Sequence, residues 1–370
     1  MNSLLHGAAL AARAAGIQLI GIKDAGAGLL IPGDPEAWDL LSHPTDCIAK
    51  KSGTILGSNT SGRKLGEGDY KVLRDNIQRL GIDAFAVVGG DGSVKYLTEL
   101  FKKAGLSLPI MLAPKTIDND MRDVDSCLGF DSAVEHNARL IETYLRTGES
   151  MHAVHIVQIM GRGCGDLALH SAAKSGCADI VLIPEWGYNM ESVTGALQTL
   201  WNSGQRHAII VVSEGIQASD GQELIVGRKE DGTPIMGSAG DFIKTQLVHA
   251  LSGLPSESCF NPKSIRLQVF GHSQRGAEVS SRDRALGERL GKEVIGALLR
   301  GENGQVITHT GPVSDLKIVL RPIDYMANGI HESVHPRTLL KNDVSLGCET
   351  QEWRQTTFID ARRKRPPPSD

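Results

Sequence analysis

Apolar, largely β-branched runs recur along the chain with helix-period segments between them. The runs are IQLIGI (17–22), AFAVVGG (84–90), PIMLAP (109–114), AVHIVQI (153–159), DIVLIPE (179–185), HAIIVVSEG (207–215) and RLQVFG (266–271). Segments with helical spacing lie between them at 70–80, 94–103, 132–146, 167–174 and 282–299. A run that is apolar at nearly every position has no polar face to give to water, as in a strand of a parallel sheet covered on both sides. The alternation with helices is the βαβ rhythm. The pattern therefore predicts an α/β protein with doubly wound parallel sheets, and in such sheets ligands bind beyond the carboxyl ends of the strands.

Polar clusters fall at those ends: Gly89 to Ser93, Lys115 to Asp120, Met160 to Gly163, Glu214–Gly215 and Gly271 to Arg275. Their distribution over both halves of the chain predicts two domains with one cleft between them. The turn-rich segment 215–240 reads as an exposed hairpin or loop. The end of the chain, DARRKRPPPSD, is basic and then proline-rich, a composition that builds no core, so a disordered tail is expected.

Composition narrows the function classes. Hydrophobic residues make up 41% and charged residues 22%, ordinary values for a globular protein. Aromatics at 4% leave little for stacking on nucleic-acid bases, and a net charge of −4 provides no general field for nucleic acid or anionic lipid. Any phosphate site must therefore be local. No apolar run approaches the roughly 20 residues of a membrane span, and no signal-like start is present, so neither a nucleic-acid nor a membrane partner is expected and a cytoplasmic location is. The six scattered cysteines form no CxxC pair and read as reduced thiols.

In VVGGDGS, a strand ending in glycines lets backbone N–H groups approach phosphate oxygens, and the following helix offers its positive end. Asp91 is a candidate magnesium ligand, and Ser93 a candidate helix cap or phosphate contact. A plain glycine turn fits the pentapeptide as well. In PKTIDND, Lys115 and Thr116 suit a phosphoryl group, while one of Asp118 and Asp120 can take a hydroxyl proton and the other a metal. An Asx-rich turn is the structural alternative. MGRG places Arg162 at a strand end. Arg266, His272 and Arg275 share one strand-turn segment, a set suited to a phosphate monoester, and Glu214 is placed to accept hydrogen bonds from sugar hydroxyls.

GGDGS, PKTIDND, GFDSA (129–133), MGRGCGDLAL (160–169), VVSEG and FGHSQRG occur in the order and spacing of the 6-phosphofructokinases, which this chain resembles over about residues 2–340. The resemblance implies two domains: 1–131 with about 273–324 for the nucleotide, and 132–272 with about 325–345 for the sugar phosphate. It implies transfer of the γ-phosphoryl group of Mg-ATP to the 1-hydroxyl of fructose 6-phosphate, in glycolysis. Gly90, Asp91, Gly92 and Ser93 resemble the nucleotide-phosphate and magnesium segment. Asp118 resembles the general base, flanked by Thr116 and Asp120, and Arg162 the arginine that stabilises the transferring group. Met160, Gly161, Glu214, His272 and Arg275 match the fructose 6-phosphate pocket. Arg266 matches an arginine that reaches in from a neighbouring subunit, which implies a homo-oligomer, a dimer or a tetramer.

Some relatives use pyrophosphate, commonly with a second aspartate where this chain has Gly92. The glycine leaves room for ATP, whereas Lys115 is frequent in pyrophosphate users, so ATP is the expected donor and pyrophosphate the alternative. This chain departs from the family pattern in three places. The family's first strand and GGDxPGxN loop would precede MNSLLHG, so either Met1 is an internal methionine or the protein lacks that strand and part of the ATP site. A second cross-subunit arginine stands as Ala153, with His152 and His155 nearby, and a nucleotide-site arginine as Thr60, with Arg63 close by. A catalytically impaired, sugar-phosphate-binding relative is therefore the competing expectation.

Overall fold

The computed structural model describes residues 1–58, 65–185, 188–217, 224–228, 234–255 and 259–323, with the backbone alone at 91–92, 94–95, 97–98, 225–228 and 234–236. In chain order the elements are α1 (Asn2–Ala15), β1 (Ile20–Ile22), β2 (Ala37–Asp39), α2 (Glu67–Leu80), β3 (Phe85–Gly89), α3 (Asp91–Lys103), β4 (Ile110–Thr116) and β5 (Leu128–Gly129). Next come α4 (Phe130–Met151), β6 (Val154–Ile159), α5 (Asp166–Ser175), β7 (Ile180–Leu182), α6 (Met190–Asn202), β8 (Ala208–Ser213), β9 (Ile225–Arg228), β10 (Pro234–Met236), α7 (Ala239–Ser252) and β11 (Ile265–Val269). The described part finishes with α8 (Ser281–Leu299), β12 (Gln305–Thr310) and β13 (Lys317–Pro322). Thr60, Arg63 and the expected tail lie outside the described residues.

The chain divides into two compact units, one joining Met1–Ser132 to the described residues from Arg275 on, the other formed by Ala133–Gln274. In the first, the sheet runs β13-β12-β4-β3, with β5 pairing the end of β4. β3, β4, β5 and β12 are parallel, and β13 is antiparallel to β12 at the edge. Met111, Leu112 and Ala113 at the centre of β4 are buried, because α1 and α8 cover one face and the segment carrying Met121, Val124 and Cys127 covers the other. α1 and α8 cross closely, since Gly287 and Gly291 leave room for Ser3 and for the Leu4 backbone.

The second unit holds a fully parallel sheet, β11-β6-β8-β7. Every residue of β6 and of β8 is buried, as strands covered on both faces require. Burying each Val, Leu or Ile side chain there contributes roughly 1.5–3 kcal/mol, and together these terms fix strand register. β11 is one of the two edge strands, and its Arg266 and Val269 are exposed.

The structure corrects one strand and extends the pattern. The run at 17–22 forms only β1, which pairs antiparallel with β2 in a separate two-stranded sheet. A parallel partner needs a long crossover, usually helical. The residues between β1 and β2 form only a 3₁₀ segment, Asp24–Leu30, which cannot carry the chain across a sheet. The turn-rich segment at 215–240 contains the antiparallel pair β9–β10, in keeping with a hairpin.

A buried histidine in the first unit sets an acid limit. His309 on β12 is 2% exposed, and burial, with Arg282 adding to it and Asp125 opposing, lowers its pKa from the ordinary 6.5 to about 4. Its folded pKa lies below its unfolded one, so the neutral ring's contribution is present above pH 6.5 and is lost as pH falls to about 4. We expect the unfolding free energy from denaturant titrations to decline across that window by up to about 1.4 kcal/mol per pH unit from this ring. His309→Leu is expected to show a shallower decline in the same titration.

Candidate active site

In the first unit, β3 ends at Gly89 and α3 begins at Asp91, so a single residue, Gly90, turns the chain. Gly90 is the N-cap, and the Ser93 N–H donates to its carbonyl at 3.0 Å. The expectation of Ser93 as the cap is thus corrected: Ser93 lies inside the first turn, with its hydroxyl over Gly89. The three-dimensional neighbour of this turn is the end of β4. A Cβ on Gly90 would stand 3.5 Å from the Lys115 carbonyl and 3.7 Å from the Thr116 side chain. Parallel pairing of Gly89 with Pro114 produces this approach.

Beyond β4 the polar run separates into different tasks. Asp118 is 6% exposed, and its N–H donates to Thr116 Oγ1 at 3.1 Å. Asn119 takes φ 58°, accepts the Cys127 N–H on Oδ1 at 2.7 Å and donates to the Asp125 carbonyl at 3.4 Å. Asn119 thus ties the loop after Asp118 to Asp125 and Cys127. Asp120 is half-buried beside it. Burial lowers the Lys115 pKa, the positive charge of Arg275 lowers it further, and Asp118 opposes both. Arg275, Lys115 and Asp118 therefore form one electrostatic group within this unit.

Asp283, the third residue of α8, lies beneath this region. Its carboxylate accepts from the Gly129 and Ser132 backbone N–H groups at 2.9 and 2.8 Å and from the Ser132 hydroxyl. It thereby caps the start of α4 from another helix. Nothing in the local pattern at 282–299 signalled that role.

In the second unit, β6 and β8 deliver two adjacent strand ends. Glu214 Oε1 accepts the N–H groups of Gly161 at 3.3 Å and of Arg162 at 3.0 Å. Arg162 has φ 50°, a left-handed conformation that a non-glycine residue adopts at a cost of about 1–3 kcal/mol, and its side chain is exposed. The Glu214 carboxylate is one of the groups that hold this conformation. Gly215 is another, since any side chain there would occupy the position of the Arg162 carbonyl. Gly215→Ala is expected to lower stability by about 1–3 kcal/mol, read as a fall in thermal midpoint, because the turn must move.

His272 and Arg275 occupy the 3₁₀ segment Gly271–Arg275 after β11, and both are exposed. Within it lies Gln274, a residue not anticipated from the sequence, which is 1% exposed and bonded to Asn137, Met160 and Gly271. Arg266 is exposed on β11 and donates to the Lys263 carbonyl at 2.9 Å. Ala153 and His155 are buried, so His155 gives no surface cation in place of the missing arginine, and burial with the nearby charge of Arg266 favours its neutral form. Among the described residues no group of three or more His, Cys, Asp or Glu side chains is arranged to hold a metal ion. No helix among them is long and apolar enough to cross a membrane.

Both α/β units carry polar turns at the carboxyl ends of their parallel strands. The sequence model described as Phosphofructokinase matches residues 1–298, and the chain belongs to the phosphofructokinase family. The pyrophosphate–fructose 6-phosphate 1-phosphotransferase of Dictyoglomus thermophilum is 31% identical over 316 residues, 84% of this chain and 86% of that one. The ATP-dependent 6-phosphofructokinase of Natranaerobius thermophilus is 33% identical over 292 residues, 79% of this chain and 80% of that one. Among solved structures, the pyrophosphate-dependent phosphofructokinase of Nitrosospira multiformis aligns with TM-score 0.72 at 19% identity, over 90% of this chain and 82% of that one. Phosphofructokinase from Saccharomyces cerevisiae aligns with TM-score 0.68 at 23% identity, over 93% of this chain but only 44% of that longer one.

Proposed function

We infer that the chain is an ATP-dependent 6-phosphofructokinase, moving the γ-phosphoryl group of Mg-ATP to the 1-hydroxyl of fructose 6-phosphate. The observation that carries this reading is the approach of the Gly90 turn to Lys115 and Thr116, with the Asp118 carboxylate buried at the same strand end. Asp118 removes the 1-hydroxyl proton, the freed oxygen bonds to the γ-phosphorus, and the bridging oxygen leaves with ADP. Arg162 neutralises charge spread over the transferring group, work that a guanidinium does well in phosphoryl transfer. The magnesium ion arrives as part of the substrate. An ion held mainly by phosphates and water needs only one or two carboxylates from the protein, and Asp91 and Asp120 are the candidates.

The nucleotide belongs to the first unit, at Gly90, Asp91, Gly92, Ser93 and Lys115. The sugar phosphate belongs to Met160, Gly161, Glu214, His272 and Arg275. Glu214 Oε1 is engaged by the turn, which leaves Oε2 for sugar hydroxyls. The exposed Arg266 on an edge strand supports assembly with a second copy of the chain.

Relatives of both donor types match, so the donor rests on Gly92, which removes the bulk and charge of a second aspartate from the nucleotide path. Steady-state rates with each donor test this. We expect kcat/KM for ATP to exceed that for pyrophosphate by about 10²-fold or more, a difference of roughly 2.7 kcal/mol in transition-state stabilisation. The reverse order would replace the donor and leave the acceptor assignment in place.

A further inference from the structure

We propose that Gln274 is a positioning residue that locks the turn carrying Arg162 to the turn carrying His272. The proposal rests on the reading of those residues given above. β6 and β11 are parallel neighbours, so the turns that follow them emerge side by side. Gln274 Oε1 accepts the Met160 N–H at 3.4 Å and Asn137 Nδ2 at 3.0 Å, while its Nε2 donates to the Gly271 carbonyl at 3.0 Å. A backbone donor on one side and a backbone acceptor on the other fix which way the amide faces. Asn137 is fully buried on α4 and also donates to Ser171 Oγ on α5 at 3.1 Å; that hydroxyl donates to the Leu167 carbonyl at 2.6 Å. The network therefore anchors both turns to two helices.

Only an uncharged side chain with both a donor and an acceptor satisfies these partners. Leucine matches the volume and loses every bond. Glutamate keeps the acceptor for Met160 and Asn137 but sets a carboxylate against the Gly271 carbonyl. Because the arginine that acts on the transferring group and His272, one of the residues that hold the sugar phosphate, lie on different turns, their spacing is a catalytic variable. A displacement near 1 Å at such a site can cost about 10²-fold in rate.

The experiment compares wild type, Gln274→Leu and Gln274→Glu in steady-state kinetics, thermal unfolding and amide hydrogen exchange of the 159–164 segment. For Gln274→Leu we expect kcat/KM for fructose 6-phosphate to fall by about 10²-fold, KM for ATP to stay within about twofold, and exchange at 159–164 to accelerate. Gln274→Glu is expected to raise KM for fructose 6-phosphate more than it lowers kcat, since the Met160 bond persists. A lower thermal midpoint with sugar-phosphate kinetics and 159–164 exchange unchanged would overturn the proposal. Should Gln274→Leu not fold, the same readouts on Gln274→Glu decide. An inactive wild type would defeat the functional reading alone, and the exchange measurement would then decide the role of Gln274.

Discussion

Asp118→Ala is expected to reduce kcat by about 10²–10⁴-fold, the range spanned by a well-placed general base, while KM for fructose 6-phosphate changes only a few-fold. The carboxylate is 6% exposed at the end of β4, and two neighbours determine where it lies. Thr116 Oγ1 accepts the Asp118 N–H, and Asn119, in its left-handed conformation, clamps the following residues to Cys127 and Asp125. These bonds involve the backbone and the neighbouring side chains, so they persist when alanine removes the proton acceptor. Asp118→Asn should behave alike, because an amide cannot accept the hydroxyl proton. A loss below about tenfold in both variants would remove Asp118 from the role of base.

Arg162→Gly is expected to separate activity from stability. Removal of the guanidinium should lower kcat by about 10³-fold or more, by analogy with arginines that neutralise a transferring phosphoryl group. The same substitution relieves a non-glycine residue of φ 50°, a conformation costing about 1–3 kcal/mol, against which the entropy of the added glycine weighs about 0.5–1 kcal/mol. The thermal midpoint should therefore hold or rise. Arg162→Lys is expected to recover only part of the rate, since an ammonium lacks the planar fork. A variant with lower stability and near-normal kcat would mean that Arg162 shapes its turn and does not act on the phosphoryl group.

What was legible in the sequence follows from where the physics is local. The buried parallel strands announced themselves because coverage on both faces demands an apolar residue at nearly every position, as in β6 and β8. Gly90 between strand and helix, and the polar run from Lys115 to Asp120, were readable for a related reason: such residues have no use inside a core. The short antiparallel β1–β2 pair looked the same as a parallel strand, since a run of three residues does not encode its direction. β12 and β13 went unread because THT and the charged ends of KIVLRP interrupt the apolar pattern, though β12 is buried through Val306 to His309.

Residues whose role depends on distant partners were the least legible. Asp283 caps a helix that begins 153 positions earlier, at Phe130, and Gln274 meets Asn137 across 137 positions. Neither leaves a periodic or compositional trace. Gly215 is similar: its need to be glycine comes from the Arg162 carbonyl, which only the pairing of β6 with β8 brings near. Of the sequence-predicted residues, the structure joins Gly90, Lys115, Thr116, Asp118 and Arg275 in one unit, and Met160, Gly161, Arg162 and Glu214 in the other.

The transferred phosphoryl group is expected to end on the oxygen at C1 of the sugar. Phosphorus NMR of the purified chain with Mg-ATP and fructose 6-phosphate tests it most directly. The account predicts a new phosphomonoester resonance on C1 of fructose, growing in step with ADP, while the 6-phosphate resonance persists as part of the bisphosphate. Conversion of ATP to ADP and inorganic phosphate with no sugar bisphosphate, or no reaction with either ATP or pyrophosphate, would contradict it.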